Sequence, residues 1–171
     1  MTRIDVVQAG FGLIGGTVAR QIHENHGRWL SEFDLDVRIT GIATKSGFVA
    51  SDPNGIEADR VQQLLMHRQE SGTLSGSAPA PDLANVILLD AAAGTGTAGL
   101  ADAVLRAGGS VVYSNKAPLS QATTLSKALW DGARSGSVRY ETTCGAGLPV
   151  ISSIKSLLAT GDEMIEIIRG L

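Results

Sequence analysis

The stretch RIDVVQAGFGLIG, Arg3 to Gly15, decides the reading of this chain. Arg3 to Ala9 is a short, largely apolar run ended by glycine, which predicts a buried strand. Leu13, Val18 and Ile22 then recur at near-helical spacing, which predicts a helix from Leu13 to about His26. Between them stands Gly10-Phe11-Gly12-Leu13-Ile14-Gly15. A G-x-G-x-x-G turn between a strand and a helix has a mechanical reading at each glycine. Gly10 permits the tight turn, Gly12 leaves no side chain in the way of a pyrophosphate, and Gly15 lets helix and strand pack closely. Backbone amides at a helix N-terminus suit phosphate charge. These residues are therefore the expected cradle of a dinucleotide.

Working outward, Val37–Thr44 predicts a second strand after a polar loop at Arg28–Asp34. Glu57–Gln69 predicts a helix with Val61, Leu64 and Leu65 on one face, and Ser71–Pro81 a loop rich in turn residues. Asn85–Ala91 (NVILLDA) is a continuous apolar run, as in a strand covered on both faces. A helix at Thr97–Ala107, a strand at Ser110–Ser114, one helix from Pro118 to Ala133 and a fifth strand at Val138–Thr143 follow. Leu148–Ala159 predicts a last helix, and Glu163–Arg169 alternates like a half-exposed strand. This alternation implies an α/β, Rossmann-type fold: a mostly parallel, doubly wound sheet with helices on both faces. Residues 1–147 form the expected nucleotide-binding domain. Residues 148–171 are the expected first elements of a second domain, cut short in a chain that stops on Gly170-Leu171.

Composition narrows the partners. A formal charge of −3 gives no basic footprint for nucleic acid, and aromatics at 4% leave little for base stacking. No apolar run is long enough to span a bilayer. The N-terminus lacks the charged lead and apolar core of a secretory signal. The single cysteine, Cys144, fits a reducing compartment, so the cytoplasm is expected.

The choice of dinucleotide is open at this point. A site for NAD usually ends its second strand in an acid that bonds the ribose hydroxyls. Here that end reads Ala43-Thr44-Lys45-Ser46, while Asp34 and Asp36 lie at the strand's other end. Lys45 facing a 2′-phosphate tilts the expectation toward NADP; a solvated loop lysine is the plainer alternative.

Two later segments carry a resemblance. Ser114-Asn115-Lys116-Ala117-Pro118-Leu119-Ser120 leaves one strand, and Tyr140-Glu141-Thr142-Thr143-Cys144-Gly145-Ala146-Gly147-Leu148-Pro149 leaves the next. Together with GFGLIG, these resemble homoserine dehydrogenase along the whole chain. That family interconverts aspartate semialdehyde and homoserine with NAD(P)H, on the branch to threonine and methionine. The resemblance implies cofactor contacts at Phe11, Gly12, Leu13 and Ile14; with Gly10 and Gly15 of the same turn, Thr44 and Lys45 at the end of the second strand, and Ala92 and Ala93 after the third, these make up the expected cofactor site. The resemblance implies that Lys116 lies beside nicotinamide and substrate as the catalytic cation. It also implies a sodium ion held by carbonyls of Glu141, Cys144, Ala146 and Leu148, and a homodimer in the full-length protein. One departure stands out: where the family commonly bears Thr or Ser after the third strand, this chain has alanines at 91–93, so backbone groups or Thr95 must substitute. The family's substrate carboxylates and second lysine fall beyond Leu171, so this chain by itself is expected to be inactive.

Other residues read as structural. His23 and His26 are taken as exposed helix-end histidines and His67 as a surface one. Cys144 is expected to be buried in a tight loop, and Trp29 and Trp130 to pack helix against sheet. Rival readings are a dehydrogenase of similar build, such as aspartate dehydrogenase or dihydrodipicolinate reductase, and a non-catalytic NAD(P)-binding module.

Overall fold

The first strand, β1 (Thr2–Ala9), lies at the centre of the sheet and sends successive side chains to opposite faces. Val6 enters one core layer, and Val7 and Ala9 enter the other, as the two-residue period of a strand requires. In this computed structural model, residues 1–121, 124–163 and 165 are described. Among them, β1 pairs in parallel with β2 (Leu35–Thr44) on one side and β4 (Ile87–Asp90) on the other. Beyond β4 lie β5 (Ser110–Tyr113) and β6 (Val138–Arg139), also parallel. The far edge is β3 (Gly47–Ser51), antiparallel to β2, and the order is β3-β2-β1-β4-β5-β6. The chain thus winds outward through β2, returns past β1 and winds the other way from β4. That reversal opens a crevice at the carboxyl ends of β1 and β4.

Helices α1 (Leu13–Phe33) and α2 (Ala58–Ser71) close the first layer, with Ala19, Ile22, Val61 and Leu64 against Val6, Ile39 and Ile42. Helices α3 (Ala98–Arg106) and α4 (Thr124–Ser135) close the second, with Ala101, Val104 and Leu129 against Val7, Leu88, Val111 and Val138. The expected doubly wound α/β fold is what the chain forms.

Several boundaries differ from the sequence reading. The expected loop at Arg28–Asp34 is the last part of α1, which runs to Phe33 and stops at Asp34 in the left-handed region at φ 57°. No Pro interrupts residues 28–33, and Trp29 continues the apolar face of Val18 and Ile22 onto the core. The strand β3 was not expected: Gly47, at φ +108°, turns the chain back onto β2 after only two loop residues. The single helix expected from Pro118 divides into a 3₁₀ turn at Ala117–Leu119 and α4. The strand expected through Thr143 ends at Arg139. Residues Glu141–Thr143 form a 3₁₀ turn, with the Thr143 hydroxyl donating back to the Tyr140 carbonyl at 2.7 Å. The last helix, α5 (Val150–Ala159), begins after Pro149 rather than at Leu148. The strand expected at Glu163–Arg169 falls almost wholly outside the described residues.

His23 and His26 lie in the middle of α1, not at an exposed end, because the helix is longer than expected. Both are partly buried, and His26 Nε2 meets Asp36 at 2.8 Å. Arg38 Nε donates to both Asp36 oxygens, at 2.8 and 3.0 Å. Arg38 first, then His26, hold the Asp36 carboxyl down to about 2. A carboxylate whose folded pKa is depressed contributes stability above its unfolded value near 3.9, and that contribution fades as pH falls toward 2. Asp36→Asn is therefore expected to cost about 2 kcal/mol at neutral pH, in the range of hydrogen bonds to charged groups. In urea unfolding the gap to the parent should narrow below about pH 4; a gap that stays constant to pH 2 would contradict the assignment.

Trp29 packs as expected, but Trp130 is exposed on α4 and meets the Tyr140 ring edge-on, with centroids 5.3 Å apart. Cys144 is exposed, contrary to expectation, because residues 144–149 of its loop all lie at the surface.

Candidate functional site: the glycine turn and its cleft

The turn is built by close approaches that only glycine permits. Gly10 has φ +81°, and a Cβ there would fall 2.5 Å from the backbone of Ala92. The turns after β1 and β4 therefore touch, an approach held by Ala91 N–H to the Ala9 carbonyl at 2.9 Å, while Gly10 N–H to the Ala43 carbonyl, also 2.9 Å, ties the same turn to β2. A Cβ on Gly15 would run into the Gly10 carbonyl oxygen, and one on Gly16 into the Leu65 side chain of α2. Gly12 behaves differently. It caps α1 at φ −88°, and no atom lies within 4 Å of where its Cβ would stand. The fold itself does not require glycine at 12, where the space above the turn is open. No acidic side chain occupies the first turn of α1, so the positive end of the helix is uncompensated.

A cleft of ≈ 340 Å³ opens on this turn. Gly10, Phe11 and Gly12 form one wall, Ala91–Ala93 a second, and Thr44 and Lys45 a third. The end of α2 closes it with Arg68, Gly72, Thr73 and Leu74. Ser46 Oγ donates to the Leu74 carbonyl at 2.7 Å and meets Thr44 Oγ1 at 2.8 Å, which ties the lip together. Lys45 and Arg68 both line the cleft, and no acid does.

The expected residues are thus largely brought together, with differences of detail. Phe11, which borders the cleft, is itself buried in the first core layer. Leu13 and Ile14 are exposed, at 89% and 57%. Asp34 and Asp36 lie at the far end of β2, as the sequence implied. Lys116 is exposed on the turn after β5 and does not line the cleft itself.

Sequence reasoning missed Arg68, Thr73 and Leu74, and it missed the polar groups beneath the turns. Gln8 is fully buried in β1; its Nε2 donates to the Gly10 carbonyl at 3.1 Å and the Leu89 carbonyl at 3.4 Å. Asp90, buried at the end of β4, accepts from Thr97 Oγ1 at 2.5 Å and from Ala92 N–H at 2.9 Å. Burial pushes its carboxyl up, against those hydrogen bonds. Asp90 in turn helps burial to raise the phenol of Tyr113, whose hydroxyl is buried without a hydrogen-bond partner among the described residues. A polar residue closing an otherwise apolar strand, as Asp90 closes ILLD, is the signal that could have found this network, since buried polar groups must be satisfied.

In the loop after β6, Glu141 turns its carboxylate to the N-terminus of α5. It accepts from Ile151 N–H at 3.0 Å and from Ser152 N–H at 2.9 Å. Gly145 and Ala146 follow one another in the left-handed region, at φ 74° and 50°. Among the described residues, no three His, Cys, Asp or Glu side chains cluster as a metal would need. Any cation here would rest on carbonyl oxygens, which suit a hard monovalent ion. No helix among the described residues is long and apolar enough to cross a membrane.

A mostly parallel sheet whose winding reverses beside an open, glycine-lined, cationic cleft defines a dinucleotide-binding α/β domain. Residues 10–142 match the family described as homoserine dehydrogenase, NAD binding domain, and the chain belongs to that family. It is similar to the bifunctional aspartokinase/homoserine dehydrogenase 1, chloroplastic, of Arabidopsis thaliana, at 31% identity over 175 residues, covering 97% of this chain and 19% of the relative. It is similar also to the homoserine dehydrogenase of Schizosaccharomyces pombe, at 27% identity, covering 97% of this chain and 46% of that one. Its fold matches the homoserine dehydrogenase of Thermoplasma acidophilum, with a TM-score of 0.66 at 20% identity, over 92% of this chain and 49% of that one. A hyperthermophilic archaeal homoserine dehydrogenase solved in complex with NADPH matches with a TM-score of 0.65 at 21% identity, over 92% and 50%. The chain therefore spans about a fifth to a half of the length of these relatives.

Proposed function

We propose that this chain is the cofactor half of a homoserine dehydrogenase, binding NADP(H) across the glycine turn for the interconversion of L-aspartate 4-semialdehyde and L-homoserine. The observation that carries the reading is the vacant space over Gly12, facing a cleft whose charged side chains are Lys45 and Arg68. The pyrophosphate fits the free amides of residues 12–15, since Gly16 N–H is already bonded to the Gly12 carbonyl, and a 2′-phosphate fits between the two cations, where NAD would find no acid for its ribose hydroxyls. A related archaeal enzyme solved with NADPH supports the same choice. The cofactor supplies the hydride; the chain holds and orients it. The exposed Leu13 and Ile14 are assigned apolar contacts with the cofactor at the turn, and backbone groups of Ala92 and Ala93 serve where side-chain hydroxyls are absent.

Lys116 is assigned the catalytic cation that faces the developing alkoxide. The carbonyls of Glu141, Cys144, Ala146 and Leu148 are assigned a sodium ion; the Glu141 carboxylate already caps α5, so only its carbonyl is left for that role. Residues 148–171 are assigned to the start of the dimerisation and catalytic region, on the evidence of α5. Its Ile154, Leu157 and Leu158 stand exposed together with Leu148, an apolar surface that calls for a cover. The working form is then a homodimer, in the reducing cytoplasm.

Titration of the purified chain with NADPH and NADH tests this. NADPH should bind more tightly. Removing both cations, as Lys45→Ala with Arg68→Ala, should weaken NADPH by about a hundredfold and NADH by less than about fivefold, the difference expected for two charge-assisted contacts to one phosphate. Equal losses for the two dinucleotides would contradict the placement of the phosphate.

A further inference from the structure

The geometry points to Asp90 as a positioning residue that makes the cofactor-side turn and the Lys116 turn one mechanical unit. This inference rests on the reading of the cleft as the dinucleotide site. Asp90 is buried at the carboxyl end of β4, and three segments converge on it. Ala92 N–H donates to Oδ1 at 2.9 Å, and Ala92 lines the cleft. Thr97 Oγ1, beside the start of α3, donates to Oδ2 at 2.5 Å. Asn115 Nδ2, from the turn after β5, approaches both oxygens at 3.3–3.4 Å. The main-chain carbonyl of Asp90 also accepts from Ser114 N–H at 2.8 Å and Asn115 N–H at 3.1 Å.

Asn115 then carries the constraint onward. It is itself buried. Its Nδ2 donates to the Gly94 carbonyl at 2.7 Å, and its Oδ1 accepts from Ala117 N–H at 3.1 Å. Lys116 stands between those last two anchors, with its side chain in solvent and its backbone fixed on both sides. Among the described residues, every donor that reaches the carboxylate is uncharged, so Asp90 is held by neutral groups and not by an ion pair. What a carboxylate supplies here is two oxygens that only accept. An amide in its place would turn an NH₂ group toward the partners of Oδ2: the Thr97 hydroxyl can accept from it, but Asn115 Nδ2, itself a donor, loses one of its two acceptors, and the tie to the Lys116 turn is the one that weakens. Cofactor pressing on Ala91–Ala93 and the placement of the Lys116 amine are thereby joined through one residue that touches neither.

Lysine-resolved acetylation, followed by mass spectrometry with and without saturating NADPH, reads both ends separately. Lys45 reports occupancy of the cleft, Lys116 reports the joined turn, and Lys127 and Lys155 serve as references. In the parent chain NADPH should slow labelling of Lys45 and Lys116 by about tenfold each, the loss expected when a solvated amine gains a charged or packed neighbour. In Asp90→Asn, protection of Lys45 should persist while that of Lys116 falls below about twofold. Thr97→Val, which removes one donor and leaves the carboxylate and Asn115 in place, should keep most of the Lys116 protection. Lys116 protection retained in Asp90→Asn overturns the inference. So does equal loss at Lys45 and Lys116, which would mark Asp90 as a general support of the fold, or a loss in Thr97→Val as complete as in Asp90→Asn. Absence of Lys45 protection in the parent chain would remove the cleft reading itself, and this inference with it.

Discussion

Gly12→Ala is expected to leave the unliganded protein as stable as its parent while costing at least tenfold in affinity for NADPH. The backbone at 12 is extended, at φ −88°, so alanine is tolerated without strain, and nothing stands within 4 Å of the added methyl. If anything, alanine there adds about 0.4–1 kcal/mol by reducing the freedom of the unfolded chain. The methyl occupies the volume through which a pyrophosphate must approach the amides of α1. Gly12→Asp sharpens the effect: a carboxylate about 4 Å from a phosphate costs about 4 kcal/mol near a protein surface, roughly a thousandfold in affinity. Thermal unfolding without ligand and a fluorescence titration with NADPH measure the two halves separately. Unchanged affinity in Gly12→Asp would mean that the cofactor, if bound, lies elsewhere.

Gly15→Ala should do the opposite. Here the added Cβ meets the Gly10 carbonyl oxygen and comes within 3.0 Å of Gln8 Nε2, both fixed parts of the turn. Neither can yield alone. Gly10 is pinned at φ +81° against Ala92, and Gln8 is fully buried between two carbonyls. Overpacking of this kind costs about 1–3 kcal/mol and occasionally more, which for a domain of this size lowers the melting temperature by roughly 2–12 °C. Binding should fall as well, but as a consequence of the distorted turn. Two glycines of one motif, three positions apart, are thus separable: one is kept by the fold and the other by the ligand. Equal melting temperatures for Gly15→Ala and the parent would contradict the packing described here.

The sheet and its turn were legible because they depend on local signals. An apolar run closed by glycine, followed by helical spacing, leaves few alternatives for residues 3–26, and NVILLDA reads as a strand on length and apolarity alone. The fold around them was harder where local signals conflict with packing. Arg28–Phe33 is polar enough to read as a loop, yet Trp29 has a core to bury against and the helix continues. The β3 hairpin depends on one glycine at φ +108°, and a lone glycine does not announce an edge strand. The site was legible in its backbone part and less so in its side chains. Lys45 was visible from its place after β2. Arg68 was not, because only the packing of α2 beside α1 brings it to the cleft. Gln8, Asp90 and Asn115 read as ordinary polar residues in sequence; their significance comes from burial at the point where three turns converge.

The most direct measurement is an NADPH titration of the ¹⁵N-labelled chain, followed through its backbone amides. The account predicts saturable shifts that are largest at Gly12–Gly16, with a second set at Lys45 and Ala91–Ala93 and little change at the His23–Asp36 end of the sheet. Saturable binding whose largest shifts lie away from the glycine turn, or no binding at all, would contradict it.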